Sequence, residues 1–168
     1  FGLAGTLHLQ RQAGAFEPVE GLCEFLLALK DRGIRIALVT SGLHEKAWPE
    51  IVSAFRAMDL GDPAAFYDAI ITAGVAIRPG QPGTLGELSP KPHPWLYAEA
   101  MRVGLGMPFG ERSHVLGLED SGAGVCALRL AGVTTVGMDG GNIDQSGTRA
   151  LCARVCASFE DVLQMIDG

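Results

Sequence analysis

The sequence predicts an α/β fold in which a mostly parallel sheet is covered by helices on both faces. Segments with apolar residues three and four positions apart alternate with short β-branched runs, which is the pattern of parallel strands joined by crossover helices. The chain has 168 residues, of which 48% are hydrophobic, so it can bury a core of its own. Neither an internal repeat nor a linker divides it, and we expect one domain spanning residues 1–168.

The first half of the chain is predicted to alternate two helical segments with two strands. Gly33 ends the first helix because glycine adopts the left-handed conformation of helix ends, and the apolar run IRIALVT follows at once. Pro49 suits the first turn of a helix, where its missing N–H is not needed. We expect, in order, a helix at residues 19–29, a strand at 34–40, helical pattern over 43–60 and a strand at 68–72.

The second half repeats the alternation after a stretch rich in glycine and proline. Residues 78–90 (RPGQPGTLGELSP) have no periodicity and are predicted to be a surface loop. Ser158 and Asp161 form a capping-box pattern for the last helix, which extends through Ile166. The other elements expected are a helix at residues 94–103, a strand at 115–118, a helix at 122–130, a strand at 133–137 and a short strand at 155–157.

Composition and charge exclude several classes of protein. The net charge of −6 gives no positive field for nucleic acid or an anionic membrane surface, so we expect neither as a partner. No apolar run reaches the roughly 18 residues of a membrane-spanning helix, and the N-terminus lacks the basic-then-apolar order of a signal peptide. The four cysteines are scattered, so we expect reduced, mostly buried thiols in a cytoplasmic protein.

Three predicted strands end in polar residues, and ligands of open parallel sheets collect beyond such carboxyl ends. The first of these strands leads into Thr40, Ser41 and Gly42, two hydroxyls and a glycine at a helix start. This arrangement suits an anion, phosphate in particular. An equally good interpretation is that Thr40 and Ser41 only cap the next helix.

The second polar group is Lys91 in the segment SPKPHP. Prolines on both sides stiffen the backbone and keep this residue out of helical conformation, so its ammonium is presented from a fixed position. A solvated surface lysine gains nothing from such rigidity, so we favour a functional role for Lys91 over the alternative of a solvated surface lysine.

The third strand runs into Glu119 and Asp120, two adjacent carboxylates before the small-residue segment SGAG. Paired carboxylates at a strand end need a compensating cation or hydrogen-bond donors. Mg²⁺ is the natural candidate because it binds through one or two carboxylates together with water and a substrate phosphate. The alternative is that Asp120 and Ser121 only cap the next helix, although capping needs one polar residue rather than two acids.

Together, ALVTSG, SPKPHP and VLGLEDSGAG resemble the second, third and fourth motifs of the haloacid dehalogenase superfamily of phosphohydrolases, in the same order and at similar spacing. The last motif is similar to the sugar-phosphate phosphatase and phosphomutase branch. The resemblance implies a Rossmann-like three-layer core and small phosphorylated metabolites as substrates. It also implies that Thr40 and Lys91 hold the phosphoryl oxygens and that Glu119 and Asp120 hold Mg²⁺ or its waters.

The sequence departs from the family at the first motif. Where the family pattern has a nucleophilic aspartate and an acid/base aspartate two residues later, FGLAGTL has Gly2 and Ala4. Glycine removes the covalent intermediate and a metal ligand together, and alanine cannot protonate a leaving alkoxide. We therefore expect the standard reaction to be absent from the chain as written.

Two further departures concern the start of the chain. The apolar strand that precedes the first motif in the family is almost absent, so a protein partner could cover an incomplete sheet edge. Residues 8–17 are predicted to be a loop in place of a helical cap domain, so substrate choice cannot be predicted from a cap.

Three hypotheses follow. The chain is a phosphohydrolase by ancestry that has lost its nucleophile, a binding or regulatory protein that keeps the phosphate and Mg²⁺ site, or a core whose aspartates come from an alternative start or a partner chain.

Overall fold

The computed structural model describes residues 2–5, 9–12, 15–73 and 89–168. Its main sheet has six strands in the order β5-β4-β1-β6-β7-β8, and each neighbouring pair is parallel. The predicted α/β fold with a parallel sheet is therefore confirmed. The strands of this sheet are β1 (Gly2–Gly5), β4 (Arg35–Leu43), β5 (Ala69–Ala73), β6 (Val115–Glu119), β7 (Thr134–Met138) and β8 (Arg154–Cys156).

Helices cover both faces of the sheet. Alternate residues of β4 belong to two separate apolar clusters, Ile36 and Leu38 to one and Ala37 and Val39 to the other, so the sheet has a packed core on each side. The helices are α1 (Leu22–Asp31), α2 (His44–Ala57), α3 (Pro63–Phe66), α4 (Trp95–Glu99), α5 (Gly122–Leu130) and α6 (Phe159–Asp167). This arrangement is the three-layer core that the sequence predicts.

The helix predictions are accurate where polar residues mark the ends. α5 has the predicted bounds, and the capping box of Ser158 and Asp161 at the start of α6 is confirmed. α1 begins at Leu22, three residues later than predicted. α4 continues as a π-helix over Ala100–Gly104, and a short 3-10 helix over Phe109–His114 precedes β6.

Pro49 does not start a helix. It lies inside α2, which runs unbroken from His44, so the prediction that it occupies a first turn is wrong. The apolar side of α2 explains its continuity, because Ala47 and Ile51 on either side of the proline are buried in the core. Tertiary packing here outweighs the missing backbone hydrogen bond.

Two predictions for the start of the chain need correction. Residues 8–17 are not simply a loop, because β2 (Leu9–Gln12) and β3 (Ala15–Pro18) pair as an antiparallel hairpin. A two-residue separation of strands is the commonest hairpin connection, which the sequence prediction missed. Residues 2–5 of β1 are paired on both sides, with β4 and β6, so the sheet has no open edge along these residues, and the possible protein partner stays a prediction.

Other expectations meet a mixed outcome. All four cysteines are free, but only Cys156 is buried and the other three are half-buried. Of the predicted loop at residues 78–90, only 89 and 90 lie within the described residues, where they form no helix or strand. Within the described ranges, no helix is long and apolar enough to cross a membrane.

Candidate functional site

The end of β4 carries the first group of predicted site residues. The pairing of β4 with β5 changes register between Thr40 and Leu43, so the strand is irregular here. Thr40 Oγ1 accepts a hydrogen bond from the Gly42 N–H at 3.0 Å. The residue that caps α2 is Leu43, without a side-chain hydrogen bond, so the alternative that Thr40 and Ser41 cap this helix is wrong.

Lys91 reaches the same place from a distant part of the chain. Its backbone N–H donates to Ser41 Oγ at 3.0 Å, and its Nζ donates to the Val39 carbonyl oxygen at 3.3 Å. The side chain is only 7% exposed. The ammonium therefore lies in the interior beside the end of β4, one residue before Thr40.

Glu119, the last residue of β6, is enclosed by donors. Its side chain is 1% exposed and forms an ion pair with Lys91 through Oε1. Oε1 also accepts from the Tyr97 hydroxyl, and Oε2 accepts from the Ser121 hydroxyl at 3.1 Å. A Cβ added to Gly124 would lie 2.0–2.2 Å from the carboxylate atoms, so the backbone of α5 packs directly against them. Only glycine leaves room for this carboxylate.

Asp120 is held by the segment that follows β7. Its carbonyl oxygen accepts from the Asn142 N–H at 3.1 Å, and Asn142 Oδ1 accepts from the Gly122 N–H at 2.7 Å. A Cβ on Gly141 would lie 2.7 Å from Asp120 Oδ2, so this segment passes close to the carboxylate. The capping alternative holds for Ser121, whose Oγ accepts from the Gly124 N–H, and not for Asp120.

The described side chains fit Mg²⁺ through Asp120 better than through Glu119. Among residues 18–73 and 89–168, no three His, Cys, Asp or Glu side chains lie close enough together to hold a metal by themselves. A metal bound at Glu119 would have to displace the Lys91 ammonium, the Tyr97 hydroxyl or the Ser121 hydroxyl. Half-buried Asp120 would be the carboxylate ligand of such a site, with water and a phosphate as the further ligands that Mg²⁺ usually takes.

Gly2 and Ala4 do not lie with the other site residues. Gly2 pairs with Arg35 and Val115, the first residues of β4 and β6, and Ala4 is level with Ala37. At a rise of about 3.3 Å per residue, Gly2 is roughly 16 Å below the level of Thr40. The register of β1 therefore places these two first-motif positions toward the starts of β4 and β6 rather than at their carboxyl ends.

Sequence reasoning missed three residues that build the site. Tyr97 lies six residues after Lys91 among apolar neighbours, and a tyrosine in such a segment usually finds a hydrogen-bond partner for its hydroxyl, which was the available signal. Gly124 is required by close approach, and Asn142 comes from a segment that carried no recognisable motif.

Solved structures with the same fold include enzymes of phosphate chemistry. CbbY from Rhodobacter sphaeroides in complex with phosphate is 24% identical with a TM-score of 0.65, over 89% of this chain and 57% of that one. A D,D-heptose 1,7-bisphosphate phosphatase from B. bronchiseptica, complexed with magnesium and phosphate, is 18% identical with a TM-score of 0.69, over 98% of both chains. A β-phosphoglucomutase from Clostridium difficile is 22% identical with a TM-score of 0.58, over 89% of this chain and 55% of that one.

These likenesses show the shared fold. Apart from the heptose bisphosphate phosphatase, the chain spans between 54% and 62% of the length of the solved structures that it matches. A family model described as haloacid dehalogenase-like hydrolase matches residues 6–132, which is more than half of the chain and includes Thr40, Lys91, Glu119 and Asp120. The chain therefore belongs to the haloacid dehalogenase-like hydrolases.

Proposed function

We propose that this chain forms the phosphate-binding core of a phosphomonoester hydrolase for small phosphorylated metabolites such as sugar or polyol phosphates. The observation that carries the proposal is the buried Lys91 ammonium. It donates to the Val39 carbonyl oxygen of β4 and pairs with Glu119 at the end of β6, while the Lys91 backbone N–H donates to Ser41. A buried cation beside two hydroxyl side chains, Thr40 and Ser41, is suited to the oxygens of a phosphoryl group.

Charge balance makes the proposed phosphate binding depend on Mg²⁺. Glu119 compensates Lys91, so the pair alone is close to neutral, and a phosphate dianion needs a further positive charge. Mg²⁺ held by Asp120 would supply it and would neutralise charge on the phosphate oxygens. Phosphate and Mg²⁺ are therefore expected to bind cooperatively, each improving the affinity for the other.

The chain as written is proposed to bind without turnover. The reaction of the family needs a carboxylate nucleophile on the central strand, and the first acidic residue of the chain is Glu17. Neither the pairing of β1 described above nor a shift along residues 1–8 would bring an acid to the level of Thr40. A second candidate, a non-catalytic protein that senses or binds phosphorylated metabolites, shares this binding site and is favoured by the same observation.

Calorimetric titration with a sugar phosphate in the presence of Mg²⁺ tests the binding. We expect heat of binding from the unaltered chain, loss of that heat in Lys91→Met, and retention in Lys46→Met, where the lysine is exposed on α2. An unaltered, folded chain that gives no heat would contradict the proposal.

A phosphate-release assay on the same samples tests turnover. We expect no release, and no phosphoenzyme trapped by a metal fluoride analogue. Phosphate release that depends on Lys91 would support the hydrolase function and contradict the proposed loss of turnover. Phosphate binding without release favours the non-catalytic protein.

A further inference from the structure

We propose that Tyr97 is a positioning residue of the phosphate site, because its hydroxyl holds the Glu119 carboxylate that anchors the Lys91 ammonium. This inference rests on the proposed function, in which Lys91 meets the phosphoryl group. It adds a residue outside the segments ALVTSG, SPKPHP and VLGLEDSGAG.

Tyr97 contacts both members of the ion pair through different parts of its side chain. It is fully buried on α4, within the apolar cluster that includes Leu96 and Val39. Its hydroxyl donates to Glu119 Oε1, the same oxygen that accepts from Lys91 Nζ. Its ring lies under that ammonium, with Nζ 4.9 Å from the ring centroid.

Burial alone does not account for the hydroxyl contact. Tyr67, the other tyrosine of the chain, is also buried, and its hydroxyl has no hydrogen-bond partner within the part of the chain that the structure describes. Within the described residues, burial of a tyrosine is therefore not enough to place its hydroxyl on a carboxylate. The Tyr97 hydroxyl is instead directed at the Glu119 carboxylate, which forms an ion pair with Lys91.

The hydroxyl affects phosphate binding through the sharing of charge at Glu119. Tyr97 on Oε1 and Ser121 on Oε2 stabilise the carboxylate with neutral donors, so the ammonium is not its sole compensation. Loss of the Tyr97 hydroxyl would draw Lys91 more strongly onto Glu119 and away from a bound phosphoryl group. Phenylalanine keeps the ring beneath the ammonium, so Tyr97→Phe removes this one effect.

The first test compares Tyr97→Phe with Tyr67→Phe by calorimetric titration with inorganic phosphate in Mg²⁺ buffer, at a temperature where both variants are folded. We expect about tenfold weaker phosphate binding in Tyr97→Phe, as for loss of a hydrogen bond to a charged group, and unchanged binding in Tyr67→Phe. A purely structural Tyr97 would lower the melting temperature and leave the phosphate affinity alone. Binding by Tyr97→Phe within twofold of the unaltered chain overturns the inference.

The second test reads the effect of phosphate in the unaltered chain and uses the variants only to assign signals. The chain has two tyrosines, so labelling with 3-fluorotyrosine gives two fluorine resonances, which the two phenylalanine variants assign. We expect phosphate to shift the Tyr97 resonance and to leave the Tyr67 resonance in place. A Tyr97 signal that stays still at saturating phosphate, or equal shifts of both signals, overturns the inference. Absence of phosphate binding by the unaltered chain is a distinct result that overturns the proposed function and this inference with it.

Discussion

Two ion pairs of this chain each join a basic side chain to a carboxylate, but one is buried and the other is exposed. Lys91 and Glu119 meet at the carboxyl end of β6 with side chains 7% and 1% exposed, while Arg32 and Asp167 meet at the surface with 33% and 52% exposed. The surface pair is bidentate, with hydrogen bonds of 2.8 and 2.6 Å from two guanidinium nitrogens to the two carboxylate oxygens. Hydrogen-bond geometry alone therefore does not predict which ion pair is costlier to break.

The difference teaches that burial sets the consequence of losing a partner. An exposed pair exchanges its hydrogen bonds with water at little cost, whereas a buried charge left alone has no such replacement. The presence of a buried ion pair is also weak evidence that it stabilises the fold, since well-packed apolar residues of similar volume often give equal stability. We attribute the Lys91–Glu119 pair to the phosphate site for this reason, and four predictions test the contrast.

The largest effect is expected for Lys91→Met, which leaves Glu119 buried without its cation. Loss of one partner of a buried pair costs about 3–5 kcal/mol of unfolding free energy, measurable by urea denaturation. The double variant Lys91→Met with Glu119→Gln should recover part of this loss, because it removes both charges. Lys46→Met is the matched control and should stay close to the unaltered chain. A destabilisation by Lys91→Met no larger than that of the control would remove the contrast.

A smaller effect is expected when the space beside Glu119 is filled. The Cβ of Gly124→Ala would lie 2.0–2.2 Å from the carboxylate, so we expect a loss of about 1–3 kcal/mol together with weaker phosphate binding. Gly110→Ala is the control, since a Cβ there meets nothing within 4 Å. Thermal unfolding and phosphate titration of the two variants check the prediction, and equal behaviour would contradict it.

The third prediction concerns pH and Tyr67. Burial raises the pKa of the Tyr67 hydroxyl well above its ordinary value. Above pH of about 10 the unfolded chain releases this proton and the folded chain keeps it, so the contribution of Tyr67 to stability falls as pH rises. Urea unfolding at pH 9 to 11 should show a shallower fall for Tyr67→Phe than for the unaltered chain. Identical slopes would show that Tyr67 ionises normally in the fold.

The smallest effect is expected at the surface pair. Arg32 lowers the pKa of Asp167 through their hydrogen bonds, so this contribution is present above the ordinary aspartate pKa and is lost as pH falls. Both groups are exposed and screened by salt, so Arg32→Gln should leave the melting temperature unchanged within error at neutral pH and physiological ionic strength. A clear loss of stability in Arg32→Gln would contradict the expectation that an exposed ion pair contributes little to stability.

Capping residues and apolar runs in the sequence predicted the element ends that such local signals determine. The bounds of α5 follow from Ser121 as its cap and from the end of its apolar run at Leu130, and Glu119 and Asp120 stand where a buried strand ends. Pro49 was misplaced because the packing of α2 overrides a local signal. The β2–β3 hairpin was missed because its strands have no strong apolar alternation.

The sequence motifs of the candidate site could be predicted, but the contacts between its side chains could not. Lys91 and Glu119 could each be chosen for their position, but their ion pair depends on which strands are neighbours. The role of Tyr97 depends on the rotation of α4 toward the same point, which no residue spacing specifies. The level of Gly2 relative to Thr40 is likewise a property of strand register.

A crystal structure with tungstate, a phosphate mimic with strong anomalous scattering, tests the central claim most directly. We predict one dominant anomalous peak within hydrogen-bond distance of Lys91 Nζ and the Thr40 hydroxyl in the unaltered chain, and its disappearance in Lys91→Met. A dominant peak elsewhere, or an empty position beside Lys91 at a saturating concentration of tungstate, would contradict a phosphate site built on the Lys91–Glu119 pair.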